Sequence, residues 1–196
     1  MNIALKFRLL LPITAMLMLA ACQKPAEPPL AGARIGGPFT LIDQNGAVVS
    51  DELFAGKYRL VYFGYTYCPD VCPTTLQQLM AGFAKFEAKA PTRAAKVQPI
   101  FITVDPARDT PAVMKSYVGA FSPRLIGLTG SEAQVAEVAK LFAVYYKRQP
   151  AKGASGYLMD HSSAPMLFGP DGAPIALIPA DDGPDAVVGT LDQWVK

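Results

Sequence analysis

Residues 58–76 read YRLVYFGYTYCPDVCPTTL, an apolar run that ends in a turn holding two cysteines, Cys68 and Cys72, each followed by proline. The uninterrupted run over residues 58–65 predicts a strand buried on both faces. Beyond the cysteines, Leu76, Leu79, Met80, Phe83 and Phe86 recur at helical spacing and define one apolar face of a long helix. Pro73 has no amide hydrogen to donate, so it suits the first helical position, with Cys72 as cap and Cys68 in the turn before it. In α/β sheets working groups gather at the carboxyl ends of strands, and Cys68 follows such an end.

Outward from this unit the same reading repeats. Upstream, FTLIDQNGAVVS (residues 39–50) places two short apolar runs around Asn45-Gly46, a strong hairpin signal. Downstream, residues 97–104 (VQPIFITV) predict a second buried strand. A helix then opens at Asp109 or Thr110 with Pro111 first, and the short run RLIGL follows. Ser131 caps a further helix whose stripe is Val135, Val138, Leu141 and Phe142. SAPMLFGPDGAPIALI gives two strands around a Pro170-Asp171-Gly172 turn, and a last helix over 184–195 buries Val188, Leu191 and Trp194. The class is α/β, with a mostly parallel central sheet flanked by helices, an N-terminal β-hairpin and a C-terminal antiparallel hairpin. With cysteines just past a strand end, this order resembles the thioredoxin-like fold. No internal repeat and no Gly-rich phosphate loop interrupts it.

Composition and the N-terminus locate the domain. Residues 1–21 carry Lys6 and Arg8, then an apolar core, and read as an export signal. Leu19-Ala20-Ala21-Cys22 resembles a lipobox, which makes Cys22 a lipidated residue and membrane lipid a partner. Residues 22–34, rich in Pro and Ala, read as a tether, leaving residues 35–196 as one domain with a sizeable core. Loss of Lys6 and Arg8 with the signal takes the net charge from +2 to zero, which argues against nucleic acid as partner. The expected location is extracytoplasmic, on the periplasmic side, anchored by lipid.

Of three cysteines, Cys22 is accounted for by the lipid, so Cys68 and Cys72 remain in an oxidising compartment. They can form a structural disulfide, a redox pair or part of a metal site. A disulfide closing so short a loop stabilises little, which disfavours the first. A helix N-terminus favours thiolate, and soft sulfur selects Cu(I) or Zn. The chain has one histidine, His161, immediately before a predicted strand; lone histidines are often packing or surface residues. Two thiolates and one imidazole suit copper, whereas structural zinc would lack one ligand. Asp160 is a candidate to orient the ring, although a surface role fits it as well, and Met159 and Met166 are soft ligands only if they are not packing.

Four segments, YFGYTYCPDVCPTTL (62–76), FITVDPARDTP (101–111), FSPRLIGLTG (121–130) and YLMDHSSAPMLFGPDG (157–172), resemble the Sco/SenC family of copper-binding assembly factors. The resemblance implies that Cys68, Cys72 and His161 bind copper, as Cu(I), Cu(II) or both. It also implies delivery to the binuclear centre in the copper-bearing subunit of cytochrome c oxidase, with other copper carriers or thiol reductants as further partners. On this reading the protein is a metallochaperone and not an enzyme. The alternative is a dedicated thiol–disulfide oxidoreductase in which Cys68 and Cys72 are catalytic and reduce that centre's cysteines; three intervening residues argue against general redox catalysis. A peroxidase of the same fold lacks an arrangement around one attacking thiolate. Pro165 departs from the family and sits where thioredoxins keep a cis-proline, so a cis Ala164–Pro165 bond is expected. Asp105, Arg108 and Asp109 match the family, and their own chemistry suggests only strand-end, pairing and capping roles.

Overall fold

The computed structural model of the protein describes residues 26–150 and 156–196. The chain begins with the hairpin β1 (Thr40–Asp43) and β2 (Val48–Ser50). Its turn is held by the Asp43 carboxylate, which accepts from the amides of Asn45 and Ala47 at 2.8 and 2.9 Å, and Gly46 supplies the positive φ of 85°. Then come β3 (Tyr58–Gly64), α1 (Val71–Lys89), a single turn α2 (Pro91–Ala94), β4 (Val97–Thr103), α3 (Pro111–Gly119), β5 (Ile126–Thr129) and α4 (Glu132–Leu141). The last third holds β6 (Tyr146–Pro150), β7 (Tyr157–His161), β8 (Met166–Phe168), β9 (Pro174–Leu177) and α5 (Pro184–Trp194).

Seven strands form one sheet in the order β2-β1-β5-β4-β3-β8-β9. The centre, β5, β4 and β3, is parallel, and antiparallel hairpins extend it at both edges. Both faces are covered, which is why β3 and β4 read as continuous apolar runs. Leu60 and Tyr62 point to one face with Leu76, Leu79, Phe83 and Phe86 of α1 and Val187 and Leu191 of α5. Val61 and Phe63 point to the other, against Leu41, Val135, Val138 and Phe142. Each such fully buried large side chain contributes roughly 1.5–3 kcal/mol. In α5 the inward residues are Val187 and Leu191, with Val188 and Trp194 half-buried at its margin.

Two helix starts follow the sequence. Thr110 caps α3 by accepting from the Val113 amide, with Pro111 first, and Ser131 forms a reciprocal capping box with Gln134 on α4. Asp109 is not a cap and is used elsewhere. The start of α1 differs from expectation: the helix begins at Val71, so Cys72 and Pro73 lie inside its first turn. None of a helix's first four N–H groups has an intrahelical partner, so proline is tolerated at the third position as well as the first.

Three further differences concern the segment around His161. The structure contains a separate two-stranded sheet, β6–β7, that the sequence did not announce; β6 reads YKRQP and is largely exposed, so it carries no apolar run. His161 is therefore the last residue of a strand and not part of a loop. The Ala164–Pro165 bond is trans, since the described residues contain no cis peptide. Pro165 leads into β8 and its carbonyl accepts from the Ile178 amide, and the bond keeps the ordinary trans preference of X–Pro.

Part of the expected tether lies on the domain. The Leu30 amide donates to the Ile175 carbonyl at 3.0 Å, and successive turns cover residues 28–33. The expected signal segment and Cys22 lie outside the described residues. Among the described residues, no helix is long and apolar enough to cross a membrane.

Candidate metal centre

The site forms where β3 hands over to α1. Gly64 pairs with Thr103 at the carboxyl end of the parallel centre, and a Cβ there would stand 2.9 Å from the Phe101 ring and 3.4 Å from the Cys72 sulfur. Only glycine admits both neighbours. Tyr65 is buried, Thr66 is clamped from outside, and Tyr67 is 54% exposed. Asp109 makes the clamp: its carboxylate accepts from the Thr66 amide at 3.0 Å and the Thr66 hydroxyl at 2.6 Å. Burial raises the Asp109 carboxyl above its ordinary value, against the hydrogen bonds from Thr103 and Thr66.

Neither cysteine is in a disulfide. Cys72 is fully buried and Cys68 half-buried at the mouth. Asp70 offers no side-chain cap to α1, and instead the Cys72 amide donates to the Cys68 sulfur at 3.4 Å. A sulfur thus satisfies one orphan donor of the helix and receives the positive end of its dipole. The Cys68 thiol is driven down to about 3, first by the hydrogen bond from Cys72, then by those from His161 and the Asp70 and Cys72 amides, with burial opposing. Cys72 moves far upward, because its proton is held towards Cys68 and because it is buried. Of the pair, Cys68 is the sulfur that favours the thiolate and Cys72 the one that keeps its proton.

His161 comes from the far end of the sequence. Its Nε2 stands 3.0 Å from Cys72 Sγ, and Nδ1 donates to the Ser162 carbonyl at 2.9 Å, which directs Nε2 at the sulfur. The edge of the ring meets Tyr65, with centroids 5.8 Å apart. Asp160 does not orient the ring: it is exposed on the opposite face of β7 and pairs with Gln149 at 2.9 Å. Met159 and Met166 are buried in the core beneath the site. The mouth is a cleft of about 320 Å³ lined by Tyr65, Cys68, Val71, Leu158 and His161.

The structure therefore brings Cys68, Cys72 and His161 to one place. Among the described residues no three His, Cys, Asp or Glu side chains form a preassembled metal cage; here the Cys72 amide donates to the Cys68 sulfur and the His161 ring meets the Cys72 sulfur.

Sequence reasoning missed the surroundings. Arg108 donates from Nε to the buried Asp105 carboxylate and from Nη1 to the Tyr157 carbonyl at 3.1 Å, while the Tyr157 hydroxyl donates to Asp105 at 2.8 Å. The Arg108 guanidinium also lies 3.8 Å from the Tyr157 ring centroid, 4.9 Å from that of Tyr67 and 5.7 Å from that of Tyr65. Nothing in the segment DPARD announces a partner about 50 residues away. The one available signal was the density of tyrosine around the two motifs.

A family model described as SCO1/SenC matches residues 27–196. The mitochondrial SCO2 homologue of Bos taurus is 44% identical over 151 residues, covering 76% of this chain; the match spans only 56% of the cattle protein. An SCO2-like protein of Rickettsia felis is 37% identical over 199 residues, covering 97% of this chain and 95% of its own length. The copper-bound structure of Bradyrhizobium japonicum ScoI superposes with a TM-score of 0.73 at 42% identity, over 82% of this chain and 99% of that one.

Proposed function

This chain belongs to the SCO1/SenC family, with a thioredoxin-like fold, and from that premise we propose that it is an extracytoplasmic copper carrier. Copper is its cargo, held by Cys68, Cys72 and His161, and it is handed to the binuclear centre in the copper-bearing subunit of cytochrome c oxidase. The observation that carries the reading is the 3.0 Å approach of His161 Nε2 to Cys72 Sγ across 89 positions of sequence. The donor set fits: one sulfur is favoured as a thiolate, the second sits beside it, and the imidazole is fixed through its other nitrogen, as metal-binding histidines are. Two soft sulfurs with one nitrogen suit copper better than the four-ligand demand of structural zinc. Delivery then proceeds by exchange, each ligand being replaced in turn by a thiolate or imidazole of the receiving protein. The half-exposed Cys68, at the mouth of the cleft, is the first to be reached. The anchoring of the chain to membrane lipid through Cys22 rests on the sequence Leu19-Ala20-Ala21-Cys22.

Titration of the reduced full-length chain with Cu(I) against a competing chelator tests this. One tight equivalent that weakens in His161→Ala supports the three-ligand site; equal affinity in the two proteins removes His161 from it.

A second reading rests on the unequal sulfurs. The Cys68 thiolate attacks a partner disulfide, forming a mixed disulfide and expelling one partner thiolate. Cys72, losing its proton, then attacks Cys68, closes the Cys68–Cys72 disulfide and releases the second partner thiol. The protein is oxidised, the partner reduced, and a thiol reductant restores the pair. This chemistry needs no imidazole ligand, so a His161→Ala variant that retains full disulfide reduction and loses copper separates the two roles.

A further inference from the structure

We propose that Arg108 is the positioning residue that holds the histidine half of the site against the cysteine half, an inference that rests on the copper reading of Cys68, Cys72 and His161. The two halves belong to different sheets. The cysteines leave the central sheet at β3, whereas His161 ends β7, which pairs only with β6. A lone two-stranded hairpin is marginal, so the register of His161 against Cys72 is set by whatever pins β7. At its far end the pins are the Ser162 amide on the Tyr145 carbonyl and the Tyr145 amide on the Ser162 hydroxyl. In the middle, Met159 enters the core.

At the near end the pin is Tyr157. It stands four residues before His161, and the period of two puts Tyr157, Met159 and His161 on the same inward face. Asp105 and Arg108 grip it at three points: hydroxyl to carboxylate, carbonyl to Nη1, and ring to guanidinium. The same guanidinium faces the rings of Tyr65 and Tyr67, which flank Thr66 in the loop that leads to Cys68. Tyr65 in turn touches the His161 ring. One planar cation therefore joins both jaws of the site. Lysine could keep the charge but cannot supply the fork and the stacking face together. Nη2 of Arg108 is buried without a hydrogen-bond partner among the described residues, so the guanidinium is retained at some cost in unmade bonding.

The test compares Arg108→Lys, Tyr157→Phe and His161→Ala in the full-length chain. In the metal-free reduced protein, nitrogen-15 NMR reads the His161 ring and hydrogen exchange reads the β7 amides. With Arg108→Lys the Nδ1–H signal held by the Ser162 carbonyl is expected to shift and broaden, and the β7 amides to exchange faster at an unchanged global fold. Cu(I) affinity is expected to fall about 10- to 100-fold at unchanged stoichiometry, the range seen when the outer partners of a ligand are lost. Arg108→Lys combined with His161→Ala should lose little beyond His161→Ala alone, because both act through the same ring. An unchanged ring signal and affinity, or losses that add in full, would overturn the proposal. If Arg108→Lys fails to fold, Tyr157→Phe, which removes only the hydroxyl bond to Asp105, carries the comparison with smaller shifts. Absence of copper binding by the unsubstituted chain would sink the copper reading, while the metal-free ring signal and exchange rates would still decide the role of Arg108.

Discussion

The sulfur of Cys68 gathers a helix-terminal amide, a neighbouring thiol and the reach of an imidazole, and each of these stabilises negative charge on it. Its ionisation is lowered to about 3, which favours the thiolate well below the ordinary thiol range, and the stability this contributes, full above about 8.5, declines progressively as pH falls from there towards that value. Alkylation of the reduced chain at pH 5 should accordingly modify Cys68 and spare Cys72. In Cys72→Ala, which removes the strongest of these hydrogen bonds, the reactive pKa should climb towards the ordinary thiol value of about 8.5. A Cys68 that titrates near 8.5 in the unsubstituted chain would contradict this electrostatic account. Gly64 is the second sensitive residue: an alanine Cβ would press on Phe101 and the Cys72 sulfur. Gly64→Ala should destabilise the fold by roughly 1–3 kcal/mol, as overpacking does, and weaken copper binding as well, both measurable in one preparation. Cys68, Cys72 and His161 stood out in the sequence as candidates, because thiols and a lone imidazole declare their chemistry by type, and the structure places the three together. Asp105, Arg108 and Tyr157 were not, because a carboxylate, a guanidinium and a phenol acquire a role only from what they face.

Among the elements, α1 and α5 approach closely at Gly82, where a Cβ would stand 2.5 Å from that of Val187 and 2.8 Å from the Pro184 carbonyl. Alanine is the better helix former by about 1 kcal/mol, but overpacking of about 1–3 kcal/mol outweighs it. Gly82→Ala should lower the unfolding midpoint, and the added substitution Val187→Ala should relieve part of the clash; additive losses would show that the two helices do not meet there. At α4, Ser131→Ala breaks the capping box and is expected to cost about 1 kcal/mol in denaturant unfolding, with Ser131→Asp retaining most of it. Elements with buried faces were readable in advance: β3, β4, α1 and α4 each carry an apolar run or stripe. The β6–β7 hairpin was not, since YKRQP has no apolar period and its strand identity depends on pairing with YLMDH. The start of α1 also escaped, because a proline in the first turn satisfies the same rule at more than one position.

For the whole molecule, the fold brings one end of a parallel sheet and the end of a detached hairpin together, so that the Cys68 sulfur and the His161 imidazole line a cleft open to solvent with the Cys72 sulfur buried beside them. Neither sheet alone contains the site. On the proposed reading, such an arrangement would hold a soft ion while leaving it open to an incoming ligand, which is what a carrier needs and a buried structural metal does not. Copper loading should also stabilise the whole domain, because an ion that binds only the folded chain raises its unfolding midpoint by an amount that grows with the logarithm of free copper over Kd. The most direct measurement is X-ray absorption at the copper edge of the anaerobically loaded full-length chain beside His161→Ala. The expected result is one copper surrounded by two sulfurs and one imidazole nitrogen, with the imidazole scattering gone from the variant. Identical ligand spectra in the two proteins, or a copper without two sulfur neighbours, would contradict the account.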